Sequence, residues 1–503
     1  MLHMEGTYHT NSFLFKNKKS RLINFRTISY ILGILVLVEA GLLAICSGIS
    51  AIYHEKSYIS FIWTMLINIG IGGIMVIAGN RKCNNISRRD GYCIVSISWI
   101  LFTLLGMLPF YLSGYIPSVT DAFFETMSGF TTTGATILND IESLPHGLLF
   151  WRSFTQWIGG LGIVLFTIAV LPLFSGSSQQ LFLSEATGVT HDKIHPKIKV
   201  MARYLWLIYI GLTLLETILL MLGGMNLFDA LCQSFSTTAT GGFSTKQDSI
   251  SYWNSPYVEY VVSIFMILSG VNFSLYYFAL NGKYKNLLKD GELHWFLASI
   301  VTLTLIIAFA LFITDYYDIE TAFRKALFQV ATTHTSCGFA TDDYNLWPSF
   351  TWLLLIFAMI SGGCTGSTSG GVKNLRLLIM YQNIKNQFKQ MLHPKAVLPV
   401  HINKHQVPVQ TTALVYTFFV TYLICVFIGW ILLMSLGVGL TESFSTVISA
   451  IGNVGPGLGD FGPVFSWSSL PDAAKWILSA LMLIGRLEIF GVLLLFNKCF
   501  WAD

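Results

Sequence analysis

Charge is what this chain has least of. Only 11% of its 503 residues are Asp, Glu, Lys or Arg, where a soluble domain carries about 25%. With 53% hydrophobic residues, that shortage excludes a soluble globular protein and describes an integral membrane one. A net charge of +4 is too small to argue for nucleic acid, so no nucleic-acid partner is expected. The eight cysteines (Cys46, Cys83, Cys93, Cys232, Cys337, Cys364, Cys425 and Cys499) form no CxxC pair and have no metal-ligand spacing. Several lie in apolar runs, where a free thiol behaves as a small hydrophobe, so neither a disulfide framework nor a zinc site is expected. Nucleophile triads, paired catalytic carboxylates and nucleotide fingerprints are also missing; the reading is not an enzyme, with no cofactor bound by this chain. The first 26 residues are polar and basic, without an early apolar core, so no cleavable signal peptide is expected.

What the chain does have is one phrase written four times. It reads FFETMSGFTTTG up to Gly134, ALCQSFSTTATG up to Gly241, LFQVATTHTSCG up to Gly338 and FSTVISAIGNVG up to Gly455. These glycines are 107, 97 and 117 residues apart (241−134, 338−241, 455−338). Such a period is too long for a solenoid repeat and suits two membrane helices with a re-entrant segment between them. The fold expected is all-α and membrane-integral: four pseudo-symmetric helix–re-entrant loop–helix units around a central pore, plus an N-terminal two-helix hairpin. The division is residues 1–90 for the basic segment and hairpin, then units at 91–190, 191–292, 293–405 and 406–503. Spans are expected near 28–49, 60–79, 92–112, 148–174, 204–222, 258–280, 295–313, 352–381, 412–436 and 476–496, each approaching the ~20 apolar residues a bilayer requires.

Basic clusters at 81–89, 191–203, 283–289 and 373–404 alternate onto the side of Lys16, Lys18, Lys19, Arg21 and Arg26. The positive-inside rule makes that side cytoplasmic, with both termini on it and the four loops entering from outside.

The residue types in the loops suit a cation. An ion stripped of water needs oxygen ligands, and rings of backbone carbonyls supply them. Glycine admits the backbone conformations that inward-pointing carbonyls require, and Thr or Ser hydroxyls add oxygens. The candidate filter residues are Thr132, Thr133 and Gly134; Ala239, Thr240 and Gly241; Ser336, Cys337 and Gly338; and Asn453, Val454 and Gly455.

Residues 361–371 (SGGCTGSTSGG) interrupt the span at 352–381 with five glycines in eleven residues. Each glycine costs about 1 kcal/mol in a helix, so the helix breaks there. A phosphate loop is excluded by the missing Gly-Lys-Ser/Thr ending and the missing strand. A mobile gate across the ion path, built on Gly362, Gly363, Gly366, Ser367, Thr368, Gly370 and Gly371, is favoured over a static kink. Arg486 falls inside the last apolar span and is read as an electrostatic barrier touching that gate, while Glu488, two residues on, is poorly spaced to pair with it. Asp121, Asp229 and Glu442 are read as acids at re-entrant helix starts. His334 is read as packed behind the third filter, with Asp342 and Asp343 in its vestibule. Glu185, Lys193 and Lys199 offer either a regulatory-subunit surface or a solvated loop.

From about Tyr92 onward the filter segments, the loop ending Gly-Ser-Thr-Ser-Gly-Gly-Val-Lys373 and Gly-Arg-Leu-Glu-Ile-Phe490 resemble the superfamily of potassium transporters that includes bacterial Trk and Ktr membrane subunits and plant HKT proteins. The N-terminal hairpin resembles its TrkH/TrkG branch. The resemblance implies potassium uptake across the bacterial inner membrane, K⁺ as the transported ion, a homodimer, and cytosolic TrkA-like nucleotide-binding subunits as partners. In that superfamily glycine at all four filter positions accompanies potassium selectivity, and serine in the first accompanies sodium permeation. Two functions stand side by side: a gated potassium-selective pore, and a potassium symporter coupled to protons or sodium. Repeats of the same orientation favour the pore.

Overall fold

The computed structural model describes residues 23–79, 87–162, 198–403 and 405–501. The surface expected at Glu185, Lys193 and the side chain of Lys199, and the far half of the span at 148–174, lie outside the described residues. Helices dominate; among the described residues the β-structure is one antiparallel pair, β1 (His401–Ile402) and β2 (His405–Gln406).

Helices α1 (Phe25–Ile52) and α2 (Tyr58–Ala78) form the N-terminal hairpin. Their backbones touch at two glycines: a Cβ on Gly33 would lie 2.8 Å from the Gly72 carbonyl oxygen, and one on Gly72 would lie 2.9 Å from that of Gly33. Close approach over small residues is how apolar helices associate where lipid supplies no hydrophobic drive. A carboxylate then ties the hairpin to the rest. Asp90 completes a capping box with Ser87 at the start of α3 (Arg88–Gly106) and also accepts from the Asn24 amide at 3.0 Å.

Four units follow. The first is α3, α4 (Leu108–Leu112), α5 (Val119–Phe130) and α6 (His146–Gly160). The second is α7 (Ile198–Leu222), α8 (Leu227–Ala239), α9 (Pro256–Ser269) and α10 (Phe273–Leu280). The third is α11 (Gly291–Ile313), α12 (Ile319–His334), α13 (Ser349–Ser361) and α14 (Asn374–Leu392). The fourth is α15 (Val409–Ser435), α16 (Leu440–Gly452), α17 (Asp472–Arg486) and α18 (Phe490–Leu493). The short helices α5, α8, α12 and α16 have 12, 13, 16 and 13 residues. At about 1.5 Å per residue they are too short to cross a hydrocarbon core of about 30 Å, and their C-terminal halves are buried nearly all round. These are the re-entrant helices.

Of the ten expected spans, of which 352–381 is the one read as interrupted, six among the described residues are single helices long and apolar enough to cross a membrane, and two more are bent helix pairs that are so only when taken together. In the second unit α9 and α10 meet at 91° across 270–272, and in the fourth the chain turns 107° between Arg486 and Phe490. Glu488 and Ile489 take positive φ (52° and 59°) at that turn. The third unit breaks at 362–373, as its glycines predict. At the other two bends the flanking helices are apolar enough that the averaged hydropathy passes over Asn272, Arg486 and Glu488, so it does not register the turns.

Candidate functional site

Three of the four re-entrant helices start on a side-chain cap, the fourth starting at Gly439 without one, and all four stop in the same way. The Asp121 amide bonds to Ser118 Oγ at 3.3 Å, Asp229 to Asn226 Oδ1 at 2.7 Å and Thr321 to Asp318 Oδ2 at 3.4 Å. Acids stand in the first turns at Asp121, Asp229, Glu320 and Glu442, where the helix dipole favours them. At the far ends, Thr132, Thr240, Ser336 and Asn453 all adopt the left-handed conformation, with φ of 54°, 54°, 54° and 53°. For a β-branched Thr this costs about 1–2 kcal/mol, and a hydrogen bond locks it in place. The amides of Thr133, Gly241, Cys337 and Val454 donate to the carbonyls of Ser128, Ser236, Thr332 and Ser449, five residues back, at 2.9, 2.8, 2.8 and 2.9 Å.

The next residue closes a ring. Gly134, Gly242, Gly338 and Gly455 have φ of 86°, 77°, 93° and 107°. A Cβ on each would collide with one carbonyl oxygen of the next segment: Gly134 with Gly241, Gly242 with Cys337, Gly338 with Val454, and Gly455 with Thr133 at 2.7 Å. Four backbones thus meet in cyclic order, first to second to third to fourth to first. The sequence register of the second segment is corrected by one residue. Gly241 is the counterpart of Thr133, Cys337 and Val454, and Gly242, absent from the sequence reading, is the counterpart of Gly134. Ala239 accordingly falls at the end of α8, one position before the left-handed residue. The Gly241-Gly242 doublet carried the signal, but counting to the first glycine hid it.

Joints between neighbouring units hold the ring. Arg152 on α6 donates to Glu125 at 2.6 Å and to the Ser244 carbonyl at 2.7 Å, and lies 3.7 Å over the Phe243 ring. Glu125 in turn accepts from the Ile137 amide and the Thr136 hydroxyl, each 2.9 Å away. Glu259 pairs with Arg324 at 2.5 Å and Lys325 at 2.9 Å, joining the second unit to the third. Tyr344 donates to the Gly457 carbonyl at 2.6 Å, third to fourth, and Lys475 to Asp121 at 2.6 Å, fourth to first.

The glycine loop packs against three of the four segments. Gly370 N donates to Ser336 Oγ at 2.6 Å, Thr368 Oγ1 donates to the Thr238 carbonyl at 3.1 Å and accepts from Thr240 Oγ1 at 3.3 Å. A Cβ on Gly370 would strike the Gly452 carbonyl oxygen and lie 3.1 Å from Asn453 Cβ. Positive φ at Gly362, Gly366 and Gly371 (69°, 82° and 77°) shapes the loop. Gly363 N is held by Ser369 Oγ at 2.9 Å, and Ser367 Oγ lies 2.8 Å from Ser369 Oγ. The break at 270–272 also grips the loop, through Cys364 N to the Gly270 carbonyl at 2.8 Å and Phe273 N to the Gly366 carbonyl at 3.1 Å.

Arg486 does not lie inside a continuing span; it is the last residue of α17, where a cation suits the dipole. Its guanidinium donates to the Thr368 carbonyl at 2.7 Å and the Gly159 carbonyl at 2.6 Å, so it bridges the loop to α6. Glu488 pairs instead with Arg376 at 2.5 Å and Lys373 at 3.8 Å. Lys373, counted with the basic cluster, is buried at the loop's end. Glu292 escaped the sequence reading: its Oε1 accepts from Thr365 N at 2.5 Å, in the middle of the glycine loop, and from Leu375 N at 3.1 Å, in the first turn of α14. His334 is buried against Ser299 Oγ at 2.6 Å and the Ala358 carbonyl, away from the ring atoms, while Asp342 accepts from Tyr317 and Trp347.

Four helix–re-entrant–helix units closed on one buried backbone ring define a multi-pass membrane protein of the ion-transporting class. The chain belongs to the TrkH family of cation transport proteins, whose profile matches residues 58–502. It is 36% identical over 485 residues to the Trk system potassium uptake protein TrkH of Escherichia coli K12, covering 96% of this chain and 100% of that one. To the TrkG protein of the same organism it is 35% identical over 481 residues, covering 95% and 99%. The crystal structure of the potassium transporter TrkH from Vibrio parahaemolyticus superposes with a TM-score of 0.86 at 33% identity, covering 95% of this chain and 100% of that one. This is a transport family, not an enzyme family.

Proposed function

We propose that the chain is the membrane subunit of a potassium-uptake system, a selective pore with its filter at the ring of Thr133, Gly241, Cys337 and Val454 carbonyls. The closed cyclic contact of the four glycines with those carbonyls carries the reading. Carbonyl dipoles held at one level replace the hydration shell of a permeating cation, and the joints between units set their spacing. The glycine loop and Arg486 form the gate. With the loop hydrogen-bonded to the second and third filter segments, the path is held shut; moving it requires release of the Thr368 carbonyl from Arg486. The protein sits in the bacterial inner membrane with both termini cytoplasmic, as a homodimer carrying TrkA-like nucleotide-binding subunits on its inner face.

The test is Rb⁺ uptake into proteoliposomes holding only this protein, against Na⁺, with and without an imposed proton gradient. Uptake down the Rb⁺ gradient alone, with Na⁺ excluded and with Na⁺ admitted by Gly134→Ser, is the expected result. Unchanged preference in Gly134→Ser counts against the ring. A requirement for the proton gradient makes the protein a symporter, a reading favoured by Glu216, whose carboxylate is buried on α7 facing the hydroxyls of Thr237 and Thr238 on the second re-entrant helix. Glu216→Gln then removes the dependence.

A further inference from the structure

One quadrant of the ring is built differently from the other three. In the first, third and fourth segments the ring carbonyl belongs to a residue with a side chain, Thr133, Cys337 or Val454; in the second it belongs to Gly241. The backbone does not demand glycine there, because the positive φ falls on the next residue, Gly242. Gln156 on α6 supplies the reason. A Cβ on Gly241 would lie 2.5 Å from Cδ, 2.6 Å from Oε1 and 2.8 Å from Nε2 of that side chain. Gln156 is fully buried and uses both ends of its amide on the segment. Nε2 donates to the Gly241 carbonyl at 2.6 Å, and Oε1 accepts from Phe243 N at 3.0 Å.

We propose that Gln156 is a specificity-determining positioning residue: it fills the place of the missing side chain in the second quadrant and its amide fixes the direction of the Gly241 carbonyl. The inference rests on the ring being the ion filter. Arg152, one turn earlier on α6, holds Ser244 and Phe243 from the same side, so the back wall of the second quadrant is contributed by the first unit. A carbonyl clamped by a short hydrogen bond keeps one distance from the axis and cannot close around a smaller ion. Released, it follows the ion inward, and the difference between K⁺ and Na⁺ narrows. Loss of one such hydrogen bond in a buried site changes the preference about tenfold, equivalent to about 1.4 kcal/mol.

The experiment uses the full chain in proteoliposomes, with Rb⁺ uptake measured against Na⁺ uptake, and monodispersity in detergent as the folding control. Gln156→Met, which keeps the volume and loses both hydrogen bonds, is expected to lower the Rb⁺-over-Na⁺ preference roughly tenfold while uptake persists. Preference unchanged in folded Gln156→Met overturns the proposal. A second arm is a cycle of Gly241→Ala, Gln156→Ala and the two together. Alone, Gly241→Ala drives its methyl into Gln156 and lowers the preference; on the Gln156→Ala background it has no further effect, so the double variant matches Gln156→Ala. Additive losses overturn the proposal. Gly134→Ser separates the two levels: if it too leaves the preference unaltered, the ring reading fails, and if it alters the preference while the Gln156 arms do not, only the role of Gln156 fails.

Discussion

Gly455 closes on Thr133: a Cβ on the former would stand 2.7 Å from the carbonyl oxygen of the latter, although 322 positions (455−133) separate them in the chain. The fourth unit therefore seals against the first, and the ring has no free end. Gly455→Ala meets both that carbonyl and a φ of 107°, a region nearly barred to a residue with a Cβ. Its K⁺ uptake is expected to fall at least tenfold, or its preference over Na⁺ to be lost, in protein that remains monodisperse. Gly211→Ala, with nothing within 4 Å of its Cβ, is the matched control and transports normally.

Arg486→Ala removes two hydrogen bonds from a cation to carbonyls, each worth about 1.5–3 kcal/mol, and with them the bridge from Thr368 to Gly159. Rb⁺ flux in proteoliposomes is expected to rise about tenfold or more, since 1.4 kcal/mol is already a factor of ten. Arg486→Lys, which has one amine in place of the fork, falls between the two. Unchanged or lower flux in both folded variants removes Arg486 from the gate.

Glu292 ties the middle of the glycine loop, at Thr365, to the start of α14, at Leu375, through one oxygen. Glu292→Ala leaves the amides of Thr365 and Leu375 without that partner at a cost of about 1–3 kcal/mol each. The expected outcome is a lower unfolding midpoint in detergent together with a higher basal flux. A lower midpoint with wild-type flux would assign Glu292 to folding alone.

Arg152 and Glu125 are 2% and 0% exposed in their side chains, so neither can turn to solvent when its partner is lost. Arg152→Ala is expected to destabilise the protein by about 3–5 kcal/mol, read as a fall in thermal midpoint. The double variant Arg152→Ala/Glu125→Ala recovers part of the loss, because no unpaired buried charge is left. A double variant less stable than Arg152→Ala assigns Glu125 its own worth, through Thr136 and Ile137.

Much of this architecture was legible before any coordinate. Low charge and long apolar runs can be stable only in a bilayer, and four glycine-terminated phrases between such runs, three of them rich in Thr and Ser, mark four re-entrant segments, short helices that stop at a left-handed residue and its glycine. The five glycines at 362–371 likewise announced their own break. Glu292 was not legible. A glutamate at the start of a membrane helix reads as a capping acid, and its two amide partners are 73 and 83 residues away.

The chain by itself therefore determined the environment, the number of repeats and the residue types of the four re-entrant segments, since these follow from local composition and spacing. Tertiary structure alone decided the register of the second segment, the bends at 270–272 and 487–489, and the pairing of Arg486 with Thr368 and Gly159. Each depends on which backbone atom of a distant segment arrives within hydrogen-bond or van der Waals reach. Gly242, not Gly241, faces Cys337 because it stands two residues after the left-handed Thr240, as Gly134 stands after Thr132, while Gln156, carried in from another unit, occupies the space beside Gly241.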